Sequence, residues 1–288
     1  MIEINIALVK KLINSQFPVW RHLSIAPVDK SGWDNRTFHL GTRLLVRLPS
    51  AAEYAVQVEK EQKWLPILAP KLPLAIPAPV ALGRPQFDYP FHFSIYRWIQ
   101  GEPAASANIQ DKVQFAKQLA NFLQNLQNIS IEGGPRPGLH SFYRGGSLQV
   151  YSEETKKAIS SLGHLLDKDK ALLIWNQAIK NPWLKESVWV HGDISSGNLL
   201  VNKGGLCGVI DFGQLAVGDP SCDLAIAWTF FQKDSREFFF KSFNHDDYTW
   251  LRARAWALWK ALIVAAGFSN PNNSEAKKCL EILKDILG

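Results

Sequence analysis

Three oxygen-bearing side chains in the last third of the sequence are spaced as a metal and phosphate site would require. Asp193 and Asn198 lie in a loop between two apolar segments, and Asp211 directly follows a third apolar segment. A Lys-Gly-Gly turn predicts that 199–201 and 207–210 pair as a hairpin, which would bring Asn198 and Asp211 to the same end. Carboxylate and amide oxygens without a Cys/His cluster favour Mg²⁺, and Mg²⁺ bound by few protein groups usually also holds phosphates. The sequence therefore predicts a site for Mg²⁺ and a phosphate compound.

The order of these residues also fits the needs of phosphoryl transfer. In that reaction a protein mainly aligns an acceptor hydroxyl and neutralises the charge that spreads over the transferred phosphate. His-x-Asp-x-x-x-x-Asn followed by Asp-Phe-Gly is the kinase signature, in which Asp193 would be the base and Asn198 and Asp211 would bind the metal. Both halves occur in the right order, each after an apolar run, so the pattern is specific. The alternative is that these are turn residues that only cap strands.

The same segment resembles the aminoglycoside phosphotransferase family, small-molecule kinases with a protein-kinase-like fold. The residues that carry the resemblance are His191-Gly192-Asp193 with Asn198, Ile210-Asp211-Phe212-Gly213, and Gly218-Asp219-Pro220 with Asp223-Leu224-Ala225. A protein kinase would have Arg after the His and an Ala-Pro-Glu motif, and neither occurs here. The resemblance implies an α+β, bilobal fold with a small N-terminal antiparallel-sheet lobe and a larger, mainly helical C-terminal lobe.

The resemblance also implies the substrates and the roles of these residues. ATP or GTP would supply the γ-phosphate with Mg²⁺, and a small molecule would supply the acceptor hydroxyl. Asp193 resembles the catalytic aspartate, and Asn198 and Asp211 resemble the metal ligands. The residues expected to brace the surrounding loops are His191, Asp219 and Asp223. The family name suggests an aminoglycoside acceptor and a role in antibiotic resistance, but related kinases use macrolides, choline, homoserine or sugars, so the acceptor stays open.

The first hundred residues contain the candidates for nucleotide binding. Ser31, Gly32 and Asn35 occupy the place of the phosphate-covering loop, although a plain hairpin turn would explain them as well. Where the family usually has Lys on the third strand, this sequence has Arg47, with Arg43 as the alternative. Arg keeps the charge but is not interchangeable with Lys, so a catalytically weak nucleotide-binding protein is the rival interpretation.

Two further features of this region complete the expected nucleotide site. A helical glutamate should pair with Arg47; Glu61 fits best, and Glu59 and Glu53 are the alternatives. The segment 96–101 resembles the hinge that presents backbone groups to adenine, with Arg97 and Ile99 as the contacting residues.

Acceptor-binding residues are harder to predict, because acidic side chains and polar loops have several uses. The candidates are Arg144 in a Gly/Pro-rich loop and the carboxylates Asp234, Glu237, Asp246 and Asp247. In the resembled family, carboxylates from this region often bind polycationic acceptors. The alternative is that Asp246 or Asp247 caps the helix that begins near Trp250.

Hydrophobic periodicity and turn residues predict the elements that must position these side chains. The predicted helices cover 3–16, 51–68, 108–129, 152–180 and much of 223–288. A hairpin is expected at 36–48 and a buried strand at 91–99, which together with the second helix give strand–strand–helix–strand. We therefore predict a nucleotide-binding lobe at 1–100 and a catalytic and acceptor-binding lobe at 101–288.

Composition excludes several other classes of protein. The 288 residues are 47% hydrophobic and 20% charged, which excludes disorder, and the longest apolar run is too short to span a bilayer. Three cysteines and no leader-like N-terminus argue against a disulfide framework and against secretion, so a cytoplasmic protein is expected. The net charge is +6, but no basic run is present, so neither nucleic acid nor membrane is an expected partner. The sequence does not fix the oligomeric state, and a monomer is compatible with it.

Overall fold

The computed structural model describes residues 3–28, 34–269 and 273–288 and has the predicted α+β, bilobal architecture. An antiparallel-sheet lobe comes first and a helical part follows it. Ser31 and Gly32, two of the expected phosphate-loop residues, lie outside the described residues. Within the described ranges, no helix is both long and apolar enough to cross a membrane.

The N-terminal lobe is built on a five-stranded antiparallel sheet with the order β1-β2-β3-β5-β4. Its strands are β1 (Ile25–Pro27), β2 (Asn35–Leu40), β3 (Leu44–Pro49), β4 (Pro79–Gly83) and β5 (Phe93–Arg97). The predicted strand–strand–helix–strand order corresponds to β2, β3, helix and β5, and the edge strands β1 and β4 are additional. β4 lies in a proline-rich stretch and begins at Pro79, which an edge strand tolerates because its outer amides need no partner.

Two helices pack with this sheet. α1 (Ile6–Gln16) begins at Asn5, whose side chain accepts a hydrogen bond from the Leu8 amide at 3.0 Å. Apolar residues of α1 and of the sheet form one buried core, which includes Val9, Leu12, Ile13, Phe38, Val46, Phe93 and Ile95. α2 (Ala52–Leu68) follows β3 over the predicted range and carries Pro66 in its last turn.

The helical part contains eight helices among the described residues. They are α3 (Lys112–Gln127), α4 (Ser152–Ser161), α5 (Lys168–Lys180), α6 (Ser221–Leu224), α7 (Ile226–Thr229), α8 (Lys233–Lys241), α9 (Asp247–Ala265) and α10 (Asn273–Leu287). The helical region predicted at 152–180 is divided between α4 and α5, because Asp167 caps a new helix by accepting from the Lys170 amide at 2.9 Å. α9 is buried along most of its length and packs against α4, α5, α6 and α10.

Short strands frame the segment that carries the kinase signature. β6 (Glu102–Pro103), β8 (Leu199–Asn202) and β9 (Gly205–Val209) form one small sheet, and β7 (Val188–Val190) pairs with β10 (Ala216–Gly218) in another. The predicted hairpin is confirmed as β8–β9. Its two-residue turn has φ of +50° at Lys203 and +80° at Gly204, which is the conformation that suits the right-handed twist of a tight hairpin.

Candidate active site

The carboxylate of Asp193 lies at the centre of the site, in the loop between β7 and β8. Its Oδ1 accepts from Lys260 Nζ at 2.7 Å, and its Oδ2 accepts from Asn198 Nδ2 at 3.0 Å. The Asp193 side chain keeps 28% of its surface exposed, so a small molecule can still reach it. Asp193 therefore presents a fixed carboxylate at the surface of the loop.

Electrostatic surroundings keep the Asp193 carboxyl ionised. Burial raises its pKa, but the cation of Lys260, with smaller contributions from Arg144 and His191, outweighs this and lowers the pKa to about 2. A carboxylate of this kind can orient a hydroxyl and accept its proton as the hydroxyl becomes acidic during reaction.

His191, Gly192 and Asp223 hold the backbone of this loop. The Asp223 carboxylate accepts from the amides of His191 at 2.7 Å and Gly192 at 2.8 Å. His191 Nδ1 accepts from the Asp193 amide, and its Nε2 donates to the Ile210 carbonyl at 3.0 Å. Gly192 has a φ of +86°, and a Cβ there would lie 2.5 Å from the backbone oxygen of Gln214, so glycine is required.

Asp219 has a separate role in joining the loop after β10 to α9. Its Oδ2 accepts from Arg252 Nε at 2.7 Å, and both side chains are 5% exposed. Its Oδ1 accepts from the Ser221 amide, and Arg252 also donates to the Asn181 carbonyl and to Thr249. This network fixes α9 relative to the strand that leads away from the site.

The β8–β9 hairpin brings Asn198 and Asp211 to one end, as its pairing predicts. The Ile210 amide donates to the Asn198 carbonyl at 2.9 Å, directly before Asp211. Asp211 adopts a left-handed backbone with φ of +70°. The next glycine, Gly213, packs against α2 so closely that a Cβ would lie 2.3 Å from Gln57 Oε1.

The side chains of Asn198 and Asp211 form a donor set that suits Mg²⁺ bound together with a phosphate. The described residues contain no cluster of three His, Cys, Asp or Glu side chains that could hold a metal by itself. Mg²⁺ does not need such a cluster, because it is usually held by one or two carboxylates together with substrate phosphates and waters. Asp211 and Asn198 therefore fit the metal only as part of a nucleotide complex.

Arg47 connects the two parts of the site. Its Nη1 donates to Glu61 at 3.0 Å, and its Nη2 pairs with Asp211. Glu61 is 3% exposed and also accepts from the Tyr96 hydroxyl. With its side-chain oxygen directed at Arg47, Asn35 accepts a hydrogen bond from Arg47 Nη2 at 2.9 Å. The structure thus brings together four candidate residues from the two predicted lobes.

Other nucleotide-site candidates lie around this network. The Arg97 amide at the end of β5 donates to the Ala78 carbonyl at 3.0 Å, and the Trp98 amide donates to the Arg43 carbonyl. The side chain of Ile99 reaches β9, where a Cβ on Gly208 would lie 3.1 Å from it. The alternatives Arg43 and Glu59 are exposed.

The acceptor candidates lie in separate places. Arg144 is buried, donates to Gln214 at 3.0 Å and is close enough to Asp193 to influence its pKa. Asp246 caps α9, accepting from the Thr249 amide at 2.7 Å, and pairs with Lys185. All four carboxylates are exposed, and Glu237 pairs with Lys241. The structure thus brings Arg144 near Asp193 and shows no contact between these carboxylates and the catalytic loop.

Two residues of the site are missing from the sequence-based prediction. Lys260 is the first; its signal is that it is the single charge in the apolar stretch 255–268. Asp34 is the second: burial, followed by the charges of Asp211 and Asp193, raises its pKa to about 6. Its signal is its position between Gly32 and Asn35, in the segment expected to cover the phosphates.

The chain is similar to known proteins in both sequence and fold. The sequence profile of the phosphotransferase enzyme family matches residues 25–256, about four fifths of the chain. Aminoglycoside 3'-phosphotransferases from Escherichia coli and Salmonella typhimurium are each 41% identical over 56 residues. That match spans 19% of this chain and 21% of each relative, so it covers about a fifth of their length.

Solved structures share the fold over nearly the whole chain. Wild-type aminoglycoside 2'-phosphotransferase-IIIa in its GDP complex superposes with a TM-score of 0.74 at 21% identity, covering 99% of both chains. Macrolide 2'-phosphotransferase type I superposes with a TM-score of 0.63 at 19% identity, covering 98% of this chain and 99% of the other. At these identities the likeness establishes the fold alone.

Proposed function

This chain belongs to the phosphotransferase enzyme family, and on that premise we propose that it transfers the γ-phosphate of ATP to a hydroxyl of a small molecule. The observation that carries the proposal is the convergence of Asp193, Asn198 and Asp211 at one end of the β8–β9 hairpin, next to Arg47. If these residues only capped strands, the partly exposed Asp193 carboxylate would not need to lie next to two side chains that can bind a metal.

The proposed reaction is a single displacement at phosphorus. The acceptor oxygen forms a bond to the γ-phosphorus, and the bond from that phosphorus to the β,γ-bridging oxygen breaks and leaves ADP. The hydroxyl proton passes to Asp193 and from there to solvent. Asn198 and Lys260 hold the two oxygens of Asp193, so the carboxylate needs little reorientation when the hydroxyl arrives.

The cofactor would be held by both lobes. Arg47, oriented by Glu61, is the cation for the nucleotide phosphates, and the backbones of Arg97 and Ile99 are the candidate adenine contacts. Asn198 and Asp211 would hold Mg²⁺, which when bound neutralises charge on the phosphates. We place the division between the lobes near Gly101, and we keep GTP as an alternative donor.

The acceptor is a hydroxylated small molecule, and its class is the open part of the proposal. Similarity to aminoglycoside and macrolide phosphotransferases supports an antibiotic-like acceptor, and a choline, homoserine or sugar kinase is the alternative. If the acceptor is cationic instead, the candidate contacts are the carboxylates Asp234, Glu237, Asp246 and Asp247. Cys207, Cys222 and Cys279 are free thiols, which fits a reducing compartment, so we propose the cytoplasm as the site of action.

The test is ADP formation by the purified protein across a panel of alcohols, with and without Mg²⁺. We expect ADP formation that depends on both an acceptor and Mg²⁺, and we expect Asp211→Ala to lose it because the stronger of the two metal ligands is removed. Asp169→Ala, at an exposed carboxylate on α5, is the matched control and should keep both the activity and its Mg²⁺ dependence. Activity of Asp211→Ala with an unchanged Mg²⁺ requirement would place the metal elsewhere.

A further inference from the structure

The two oxygens of Asp193 face different parts of the protein. Oδ2 is held by Asn198, which lies at the end of the hairpin that carries Asp211. Oδ1 is held by Lys260 Nζ from α9, and the Lys260 side chain is 22% exposed. Because Oδ2 faces the proposed metal side, an acceptor hydroxyl would approach Oδ1, and its neighbouring groups would meet Lys260.

A second cation lies on the same side of Asp193. The guanidinium of Arg144 lies 4.3 Å from the ring centroid of Trp259, the residue before Lys260, and 5.2 Å from that of Trp256. Trp256, Trp259 and Lys260 are spaced i, i+3 and i+4, so they share one face of α9. Arg144 and Lys260 therefore border the same region.

Arg144 also has an unsatisfied donor. Its side chain is more than nine-tenths buried, and its Nε donates to Gln214. Its Nη1 is buried and has no hydrogen-bond acceptor among the described residues. Since buried charged donors are normally paired, this atom is a candidate partner for an anionic group on a ligand.

Three carboxylates besides Asp193 lie near the two cations, and one of them, Glu154, accepts a hydrogen bond from Trp259 Nε1 at 2.8 Å. Asp223 is bound by the amides of His191 and Gly192, and Asp219 is bound by Arg252. Asp193 balances one of the two positive charges through its pair with Lys260. The amides do not cancel the charge of Asp223, so the region is not net positive; what favours an anionic group on the ligand is the Arg144 Nη1 donor, which has no acceptor among the described residues.

We propose that Lys260 and Arg144 form an anion subsite beside Asp193, and that the acceptor carries a carboxylate or phosphate group close to the hydroxyl that is phosphorylated. The proposal rests on the proposed function, because it takes Asp193 as the residue that receives the acceptor. Lys260 contacts both Asp193 and the acceptor anion, so it acts on acceptor binding and aligns the hydroxyl with Oδ1.

Binding of matched probes tests the subsite. The protein, loaded with Mg²⁺ and a non-hydrolysable ATP analogue, is titrated in a calorimeter with gluconate, glucose 6-phosphate, glucose and glucosamine. We expect at least one of the two anions to bind about tenfold or more tightly than glucose and glucosamine. A preference for gluconate identifies a carboxylate subsite, and a preference for glucose 6-phosphate identifies a phosphate subsite.

Variants assign the preference to Lys260. Lys260→Met should remove the preference for the anion, and Lys260→Arg, which keeps the charge, should retain it. Lys284→Met makes the same charge change at an exposed position on α10 and should bind like the wild type. The Lys260→Arg variant also guards against a folding defect, because a purely structural role would not restore a preference among ligands.

Three results would overturn the proposal. They are equal binding of anions and glucosamine by the wild type, an anion preference that survives in Lys260→Met, and no binding of either anion at millimolar concentration. Asp193-dependent ADP formation, measured in the same preparations, separates the two levels of inference. If ADP formation is intact and the anion preference is absent, only the subsite is wrong; if ADP formation is absent in the wild type, the proposed function is wrong.

Discussion

Arg47 is the residue at which this chain departs from the resembled family. A lysine at this position presents one ammonium, but the Arg47 guanidinium contacts Glu61 and Asp211 through different nitrogens. Because Asp211 is already paired with Arg47, a bound metal would have to share the Asp211 carboxylate with the guanidinium or displace it, and a phosphate would compete with Asp211 for Arg47. Arg47 therefore couples the nucleotide lobe to the proposed metal ligand.

Arg47→Lys should weaken the use of ATP, since one ammonium cannot hold both carboxylates in the same geometry. Loss of one hydrogen bond to a charged group is worth roughly 1.5–3 kcal/mol, so kcat/KM for ATP should fall about tenfold or more. Steady-state kinetics with ATP as the varied substrate measures this. Arg43→Lys, at an exposed position beside β3, is the control and should be unchanged; equal effects of the two variants would contradict the role of Arg47.

At the residue scale, the sequence predicted the part of the site that is contiguous in the chain. Asp193, Asn198 and Asp211 lie within one segment whose turns and apolar runs show how it folds. Lys260 and Asp34 reach the site from distant segments, through the packing of α9 and the fold of the N-terminal lobe. Such approaches depend on tertiary structure, which local spacing does not encode.

At the scale of elements, α9 joins one end of the helical lobe to the catalytic loop. It begins at the cap Asp246 and carries Lys260 fourteen residues later, which is about 21 Å along a helix. Apolar residues occupy most of its faces, so its sequence shows no single buried stripe. Its orientation could be determined only from the structure.

Asp246→Ala should destabilise the fold without affecting catalysis. Removing the cap leaves the Thr249 amide unpaired and should lower the free energy of unfolding by about 1 kcal/mol, within the usual range of roughly 0.5–2 kcal/mol. Urea unfolding and acceptor kinetics measure the two effects. Asp247→Ala is the control and should have the smaller effect on stability. A raised acceptor KM at unchanged stability would instead place Asp246 in the acceptor site.

The strands show which elements can be predicted. β2, β3 and β5 are rich in β-forming residues and have clear turns, so the sequence indicated them. β1 has three residues, and β4 lies in a stretch where prolines obscure the pattern. Both are edge strands, and their pairing depends on the neighbouring strand more than on their own propensity.

At the scale of the whole molecule, α2 connects the two lobes. Trp64 packs against Trp189 at 4.8 Å between ring centroids, and Lys60 donates to the His140 carbonyl at 2.9 Å. Gln57 lies against Gly213 in the loop that carries Asp211. These contacts, with the Arg47 pair, fix the N-terminal lobe relative to β7 and to the loop that carries Asp211.

The partly buried Lys60 should make stability depend on pH. Burial lowers the pKa of Lys60 from 10.5 to about 7, and Glu61 opposes this shift. Below pH 7 the folded protein carries a buried charge that destabilises it. As the pH rises from about 7 to 10.5, the folded protein has lost this proton and the unfolded chain still holds it, so the free energy of unfolding increases.

Lys60→Met should therefore remove this increase. Urea unfolding of the variant and the wild type at several pH values across the window measures the difference. Lys63→Met changes the same charge on the exposed side of α2 and should keep the pH dependence of the wild type. Parallel curves for wild type and Lys60→Met would show that Lys60 titrates normally.

The most direct test of the whole account is phosphate transfer by Asp193→Asn, measured together with nucleotide binding. We expect the variant to bind ATP and Mg²⁺ like the wild type but to transfer phosphate roughly 10²–10⁴-fold more slowly, because the group that orients the hydroxyl and takes its proton is lost. Asp169→Asn, an exposed carboxylate on α5, is the control and should transfer at the wild-type rate. Turnover of Asp193→Asn close to that of the wild type on the same acceptor would contradict the account.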